Sequence, residues 1–212
     1  KGVVSSWLAQ NLPPGSWILC PFGSSPQIAL EAARAGYRVL MPVHNPVLRL
    51  LIDNLAHPPT RELMTSALVA LGSSYKGQER LKPFILSLYE TDCPQCGRET
   101  PAASFTWSAG GGALLSKTCR CSGCGEESVT DVTAEDISKA SGFTDRSPTY
   151  ARALTRVTSP SDPIRIQVER ALATYPPRSV YALFTILNKL TGFDLPLEQR
   201  KALEALLLHA FY

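Results

Sequence analysis

Short apolar runs alternate with helical patterns along the first quarter of the chain. Residues 16–20 predict a short buried strand, and residues 37–41 predict a second one. Between them, residues 27–35 carry apolar positions at helical spacing and stop at Gly36, which is typical of a helix end. A further helix is predicted from Asn45-Pro46 to Leu55. Strand, small-residue loop, helix and strand predict a parallel β-α-β unit within residues 1–58.

Two later regions also show helical periodicity. Residues 59–90 predict connecting helices, the first capped by Thr60 and broken at residues 72–74. Near the C-terminus, Thr174 is expected to cap one helix and Asp194 the next. The short connection between these last two helices predicts that they are antiparallel neighbours.

The stretch between the helical regions contains a repeated cysteine motif. Residues 93–97 read Cys-Pro-Gln-Cys-Gly, and residues 121–125 read Cys-Ser-Gly-Cys-Gly. Two such elements at this separation are typical of a tetrahedral zinc site, here with Cys93, Cys96, Cys121 and Cys124 as ligands. The β-prone residues 104–107 and the returning residues 113–118, joined by a glycine-rich tip, predict a β-hairpin. We therefore predict a zinc ribbon over residues 91–138, with a closed and hence structural metal site.

Two alternatives to this ligand set remain open. The four cysteines could form two disulfides, although their spacing and the lack of a secretion signal favour metal binding. Cys119 is a surplus thiol two residues before Cys121 and could replace it as the ligand, but Cys121 keeps the repeated pattern.

Composition and charge restrict the class of protein. The 212 residues are 44% hydrophobic and carry a formal charge of +3, which indicates a globular chain that is only mildly basic. No apolar run approaches the length of a membrane span, and no signal peptide is recognisable. Clustered thiols without a secretion signal predict a cytoplasmic protein. Because the chain begins at Lys1 and closes inside a helical pattern, we expect it to be part of a longer protein.

Charge is distributed unevenly between the ribbon and the segment that follows. Residues 91–138 contain three basic and seven acidic residues, a net charge of −4 that is poorly suited to a phosphate backbone. Residues 139–178 contain seven basic and three acidic residues, a net charge of +4. Arginine suits bidentate phosphate contacts, so this segment is the candidate for binding DNA, with a solvated surface as the alternative. The candidate residues are Arg146, Arg152, Arg156, Arg165 and Arg170.

The loop after the first predicted strand is where a small ligand would bind. A turn of small residues that leads into a helix N-terminus allows close approach to the backbone and favours polar or anionic groups. An ordinary strand-to-helix turn is the alternative explanation. This loop comprises residues 21–26.

This region resembles the cofactor half of S-adenosylmethionine-dependent DNA amino-methyltransferases. Residues 20–36 read C-P-F-G-S-S-P-Q-I-A-L-E-A-A-R-A-G, and Asn45-Pro46-Val47 follows the second strand. The family shows D-P-F-x-G-S-G-T-x-x-x-E-A-x-x-x-G and then a strand that ends in V-D-x-N-P-V. With the cysteine ribbon downstream, the chain is similar to the subgroup of zinc-ribbon-containing adenine-specific DNA methylases. The resemblance implies a Rossmann-like fold, S-adenosylmethionine as cofactor and DNA as substrate. The cofactor-binding residues that it implies are Cys20, Pro21, Phe22, Gly23, Ser24 and Ser25.

The chain departs from that family at the positions that carry its chemistry. Cys20 stands where the family has its first acid, and Val43 stands where it has the ribose-binding acid. The amine-binding [D/N/S]-P-P-[Y/F/W] motif does not occur, so no residue is assigned as catalytic and we expect this chain alone to be inactive. Either the motif lies on a further segment, on the same or another chain, or the protein is a degenerate relative.

Together these patterns predict an α/β protein in four segments. A partial Rossmann-like methyltransferase unit (1–58) is followed by connecting helices (59–90), an inserted zinc-ribbon β-hairpin (91–138) and an Arg-rich, helical C-terminal segment (139–212). Two alternatives to the methyltransferase hypothesis are a non-catalytic zinc-ribbon module that binds DNA or protein, and a stand-alone ribbon scaffold that shares only α/β architecture.

Overall fold

The computed structural model describes residues 2–22, 25–108 and 112–210. It contains a mixture of helices and small sheets. The helices are α1 (Val3–Asn11), α2 (Pro26–Arg34), α3 (Pro46–Ala56), α4 (Arg61–Ser73), α5 (Leu81–Ser87), α6 (Ala134–Ser141), α7 (Pro148–Val157), α8 (Arg165–Leu172), α9 (Pro177–Gly192) and α10 (Leu197–Ala210). The strands are β1 (Trp17–Leu19), β2 (Arg38–Leu40), β3 (Tyr75–Lys76), β4 (Glu79–Arg80), β5 (Glu90–Asp92), β6 (Glu99–Pro101), β7 (Ser104–Trp107), β8 (Leu114–Arg120) and β9 (Glu127–Asp131).

The chain forms two compact units whose boundaries differ from the four predicted segments. One unit comprises Lys1–Leu68 and Leu195–Tyr212, and the other comprises Val69–Asp194. The C-terminal helix α10 thus belongs to the N-terminal unit, where it packs against α3. Nothing in local sequence periodicity indicates a contact between segments about 150 residues apart in the chain. No helix among the described residues is both long and apolar enough to cross a membrane.

The N-terminal unit contains the predicted parallel β-α-β arrangement. Strand β1 pairs in parallel with β2, in a register that matches Ile18 with Val39, and α2 connects the two strands. Asn45 caps α3 by accepting hydrogen bonds from the backbone N–H groups of Val47 and Leu48. The core of this unit is small. Leu8, Ala32 and Tyr37 are buried in it, and neighbouring apolar side chains pack around them. The sheet has two strands within the described residues.

The prediction that residues 16–20 form a buried strand is wrong in one respect. Ile18 packs against the core, but Trp17 and Leu19 on the other face are 68% and 61% exposed. Leu40 on β2 is 59% exposed on the same face. Side chains alternate across a sheet, so an apolar run is buried on both faces only where layers cover both. The apolar sequence of residues 16–20 does not indicate that one face of the β1–β2 sheet is exposed.

The second unit is built around the cysteine motifs. Strands β5 and β6 form an antiparallel pair, and β7, β8 and β9 form an antiparallel sheet in that order. The pairing of β7 with β8 is the predicted hairpin; residues 109–111 at its tip lie outside the described residues. Strand β9 was not anticipated. Helices α6 to α9 follow, and α7 packs against α8 and α9.

Two predicted helix caps are corrected by the structure. Thr174 does not cap α9, because its hydroxyl donates backwards to the carbonyl of Ala171 at 2.7 Å and the helix starts at Pro177. Helix α10 starts at Leu197, three residues beyond the expected cap Asp194. Proline fixes φ near the helical value, so Pro177 and Pro196 favour later starts than capping side chains alone suggest.

Candidate metal centre

Each cysteine motif forms a tight turn between two antiparallel strands, and the two turns have matching hydrogen bonds. In the first turn the N–H of Gly97 donates to the carbonyl of Cys93 at 2.9 Å, and the N–H of Cys93 donates to the carbonyl of Arg98 at 2.9 Å. The second turn repeats these bonds, from Gly125 to Cys121 at 3.0 Å and from Cys121 to Glu126 at 2.9 Å.

The glycine that ends each motif is required by its backbone conformation. Gly97 has φ +67° and Gly125 has φ +78°, both in the left-handed region that disfavours a Cβ atom. Between the two turns, a Cβ atom at Gly123 would lie 2.5 Å from a guanidinium nitrogen of Arg98, so the second turn approaches an arginine of the first closely. The repeated Cys-x-x-Cys-Gly pattern thus corresponds to a repeated structure.

The two turns bring the four predicted cysteines together. The Sγ atoms of Cys93, Cys96, Cys121 and Cys124 all lie within 4.8 Å of one another. Cys93 and Cys124 are 3.6 Å apart between their Sγ atoms, and Cys96 and Cys121 are 3.8 Å apart. A tetrahedron of thiolates about 2.3 Å from a zinc ion has sulfur atoms about 3.8 Å apart, so the cluster has the size of such a site. The group could therefore hold a metal ion.

The cysteines are free thiols in the structure, and disulfides are not formed. The observed sulfur separations exceed the roughly 2.05 Å of a disulfide bond. Both of these Sγ–Sγ contacts join a cysteine of one motif to a cysteine of the other. Such proximity is expected if the two motifs coordinate the same ion.

Backbone amides favour the thiolate at Cys93 and Cys121. At Cys124 the backbone N–H of Glu126 lowers the pKa, but burial and the other three cysteines outweigh it and raise the pKa to about 12. Hydrogen bonds from the backbone N–H of Cys96, and then of Gln95, outweigh burial and lower the pKa of Cys93 to about 6. The backbone N–H groups of Cys124 and Gly123 lower the pKa of Cys121 in the same way. Metal ligation by cysteine requires the thiolate, so these donors suit a metal site.

Cys119 differs from its neighbours. It is completely buried beside Cys93 and Cys121, but it is not part of the group of four. Burial, followed by contact with Cys93, raises the pKa of the Cys119 thiol. A protonated thiol packs as a small apolar side chain. Cys121, with amide donors to its sulfur, is the better ligand.

A buried ion pair connects strands β5 and β8 to helix α6. Lys117 on β8 donates to Oδ2 of Asp136 at 2.9 Å and also to the hydroxyl of Thr91 on β5, and all three side chains are buried. Asp136 also accepts from the N–H and hydroxyl of Thr133 at 2.8 and 2.9 Å, which closes a capping box at the start of α6. Burial raises the pKa of Asp136, but hydrogen bonds from Lys117, Thr91 and Thr133 outweigh it and lower the pKa to about 2.

Arg178 connects the ribbon to helix α9. Its side chain is only 2% exposed, and its guanidinium carbon lies 4.5 Å from the ring centre of Phe105 and 4.7 Å from that of Tyr89. The Trp107 ring lies at 5.9 Å. One nitrogen donates to the carbonyl of Leu88 at 3.3 Å, and burial lowers the pKa of Arg178. The aromatic faces compensate part of the lost hydration of this cation.

The described residues predicted to bind a cofactor, Cys20, Pro21, Phe22 and Ser25, line neither of the cavities beside α3 in the N-terminal unit. Phe22 is 90% exposed, Cys20 and Ser25 are half-buried, and Gly23 and Ser24 lie outside the described residues. A cavity of about 430 Å³ lies instead beside β2, between α2 and α3. Its lining includes Val43, the position where the resemblance expects an acid, and the charged residues Arg49 and Asp53. No sequence motif indicated Arg49 or Asp53.

The five candidate DNA-binding arginines divide into two groups. Arg156 donates to Asn188 and Thr191, and Arg165 donates to Glu169 at 3.1 Å and to the carbonyl of Thr158. The other three, Arg146, Arg152 and Arg170, are exposed and carry no ion pair within the described part of the chain. Arg178, which was counted in the net charge of residues 139–178, is buried and is not exposed for contact with DNA.

The chain matches no protein-family model, no curated protein and no solved structure. The functional argument for this protein therefore depends on its own residues and their geometry.

Proposed function

We propose that the four cysteines hold one zinc ion and that the resulting ribbon is a structural element of a relative of the S-adenosylmethionine-dependent DNA amino-methyltransferases. The observation that supports the metal site is the separation of the sulfur atoms, all within 4.8 Å on two matching turns. Four thiolates occupy all four coordination positions of a tetrahedral zinc ion and leave none for a substrate. The role of the ion is therefore to stabilise the fold.

Metal analysis of the purified protein tests this site. We expect about one zinc per chain, retained through dialysis against a weak chelator, because structural zinc sites bind tightly. Cys93→Ser should lose the metal and the folded ribbon. Cys20→Ser is the matched control, since Cys20 is a half-buried cysteine in the other unit, and it should retain both. Zinc-free wild-type protein with a folded ribbon would contradict the proposal.

The proposed relationship to methyltransferases is supported by the parallel β-α-β unit and by the adjacent cavity. In open α/β sheets, ligands bind near the carboxyl ends of the parallel strands. The cavity beside β2 includes one acidic side chain, Asp53, that could bind ribose hydroxyls in place of the family acid missing at Val43. In this proposal the chain contributes cofactor and DNA contacts, and catalysis requires a further segment that carries the missing motif.

Calorimetric titration with S-adenosylmethionine tests the cofactor. A working site gives binding that Asp53→Asn weakens about tenfold, the loss expected for one charge-assisted hydrogen bond. Glu62→Gln, an exposed acid outside the cavity lining, should have no effect. Absence of heat at millimolar ligand would indicate a degenerate relative that keeps the fold but not the cofactor, and would favour the alternative of a non-catalytic module.

DNA is the proposed partner, bound by the exposed arginines of α7, α8 and the loop before α7. Affinity should fall steeply with salt, because each neutralised phosphate releases counterions. The triple change Arg146→Ala, Arg152→Ala and Arg170→Ala should reduce both the affinity and the slope of its salt dependence. Binding that is insensitive to salt would contradict this contact.

A further inference from the structure

A further cavity, of about 410 Å³, lies among helices α6 to α9 in the unit Val69–Asp194. Three aromatic side chains, Phe143, Tyr150 and Tyr175, form much of its lining, and Asp145 is its one charged lining residue. The three rings are half-buried, and Asp145 is exposed. This volume falls within the range of small-molecule sites, about 300–1,000 Å³.

Packing behind the cavity holds one of these rings in position. Phe143 contacts the Tyr181 ring of α9 with 5.2 Å between ring centres, and Tyr181 in turn contacts Phe84 of α5 at 6.3 Å. Tyr150 lies in the first turn of α7, whose start is fixed by the Ser147 cap. Anchored rings are preorganised for stacking on a flat ligand, because they lose little freedom on binding.

Arginines lie next to the cavity in the chain. Arg146 directly follows Asp145, and Arg170 precedes the lining residue Ala173 by one helical turn. Both arginines are exposed. The cavity thus combines an aromatic lining with one carboxylate acceptor, and two exposed arginines lie within three residues of its lining in the chain.

We infer that this cavity binds an unpaired nucleobase of a single-stranded nucleic acid, while Arg146 and Arg170 contact the adjoining phosphates. The inference rests on the proposed contact with DNA and assigns a base-binding site to it. Unpaired bases stack on aromatic side chains in a way that tolerates any sequence. The carboxylate of Asp145 can accept a hydrogen bond from an exocyclic amino group such as that of cytosine.

A quaternary ammonium group is the competing ligand, since aromatic rings with a nearby acid also bind such cations. That ligand would use the rings and Asp145, but the neighbouring arginines would repel it. A nucleotide uses the rings, the acid and the arginines together. Because residues 139–178 carry a net charge of +4, this segment favours the nucleotide.

Fluorescence anisotropy with a labelled oligo-dC strand of about 12 nucleotides, and with an abasic backbone of equal length, tests the inference. We expect the strand with bases to bind about tenfold more tightly, since one stacked base contributes a factor of this order. Tyr150→Ala should remove most of that difference and leave binding of the abasic strand unchanged. Tyr150→Phe, which keeps the ring, should preserve it.

Tyr75→Ala is the matched control, because Tyr75 is an exposed tyrosine of the same unit outside this cavity, and it should leave the difference intact. Equal affinity for the two strands would overturn the base site while leaving the salt-dependent DNA contact standing. Failure of both strands to bind would overturn the DNA contact itself. Choline that displaces the strand in an Asp145-dependent manner would identify an ammonium site instead.

Discussion

The two units of the molecule stabilise their small sheets by different means. In the unit Val69–Asp194, called the ribbon unit after the predicted zinc ribbon, the strands adjoin the cysteine cluster, the buried Lys117–Asp136 pair and the enclosed Arg178. In the N-terminal unit, a small apolar core packs against one face of the two-stranded parallel sheet. Trp17 and Leu19 are exposed on the other face. The comparison indicates that buried polar groups, together with the proposed metal ion, can replace apolar bulk where the strands are short.

The difference predicts where single substitutions have large effects. Removing one partner of a buried charged group leaves the other uncompensated, which costs more than removing an exposed apolar side chain. Tryptophan fluorescence can follow the units separately, since Trp107 lies in the ribbon unit while Trp7 and Trp17 lie in the other. A protein with Trp7→Phe and Trp17→Phe reports unfolding of the ribbon unit alone.

The largest effect is expected at Asp136. We expect Asp136→Ala to lower the free energy of unfolding of the ribbon unit by about 3–5 kcal/mol, because Lys117 remains buried without its counter-charge. Asp131→Ala, an exposed aspartate on β9, is the matched control and should change it by less than about 0.5 kcal/mol. Denaturant titration monitored through Trp107 measures both. Equal effects of the two changes would mean that the buried pair does not stabilise this unit.

A smaller effect is expected at Arg178. Arg178→Ala should cost about 2–4 kcal/mol, because it leaves a cavity among Tyr89, Phe105 and Trp107. Arg178→Met should cost about 1 kcal/mol or less, since it fills much of the space and removes the burial of a charge. The same denaturant titration separates the two variants. A methionine variant as unstable as the alanine variant would show that the cation contributes more than the volume.

Acidification should destabilise the ribbon unit through Asp136. Its pKa is about 2 in the folded protein and near the ordinary 3.8 in the unfolded chain, so the folded state binds the proton more weakly. The stabilisation, about 2 kcal/mol, is therefore present above about pH 4 and is lost as the pH falls towards 2. Unfolding curves of zinc-loaded wild type and Asp136→Asn, recorded at pH 6 and at successively lower pH for as long as zinc stays bound, measure this loss. The gap between the two proteins should shrink at the lower pH, and a constant gap would contradict the assignment.

The smallest effect is expected on the exposed sheet face of the N-terminal unit. Leu19→Ala should change the free energy of unfolding by less than about 0.5 kcal/mol, because Leu19 is already 61% exposed. Leu8→Ala in the same unit should cost about 2–4 kcal/mol, since Leu8 is 4% exposed in the core. Thermal unfolding with Trp107→Phe, which leaves the tryptophans of this unit as reporters, compares the two. A large effect at Leu19 would show that this face is covered.

Local sequence patterns predicted the secondary-structure elements of this protein, but they did not predict which elements contact each other. The cysteine spacing and the following glycines indicated both turns, because ligand geometry and positive φ restrict the residues that fit. The parallel β-α-β arrangement also followed from periodicity. The position of α10 against α3, the buried pair of Lys117 with Asp136 and the cavity residues Arg49 and Asp53 could not be predicted. These features depend on contacts between distant segments, and an isolated lysine or aspartate gives no sign of its partner.

Cobalt titration of the metal-free protein tests the central claim most directly, because Co²⁺ in a tetrahedral thiolate site gives characteristic visible absorption and zinc displaces it. The account predicts a four-thiolate spectrum that saturates at one ion per chain and is unchanged in Cys119→Ser. In Cys121→Ser the four-thiolate spectrum should be lost. A spectrum that does not saturate at one ion, or that depends on Cys119 rather than Cys121, would contradict the assignment of Cys93, Cys96, Cys121 and Cys124 as the metal ligands.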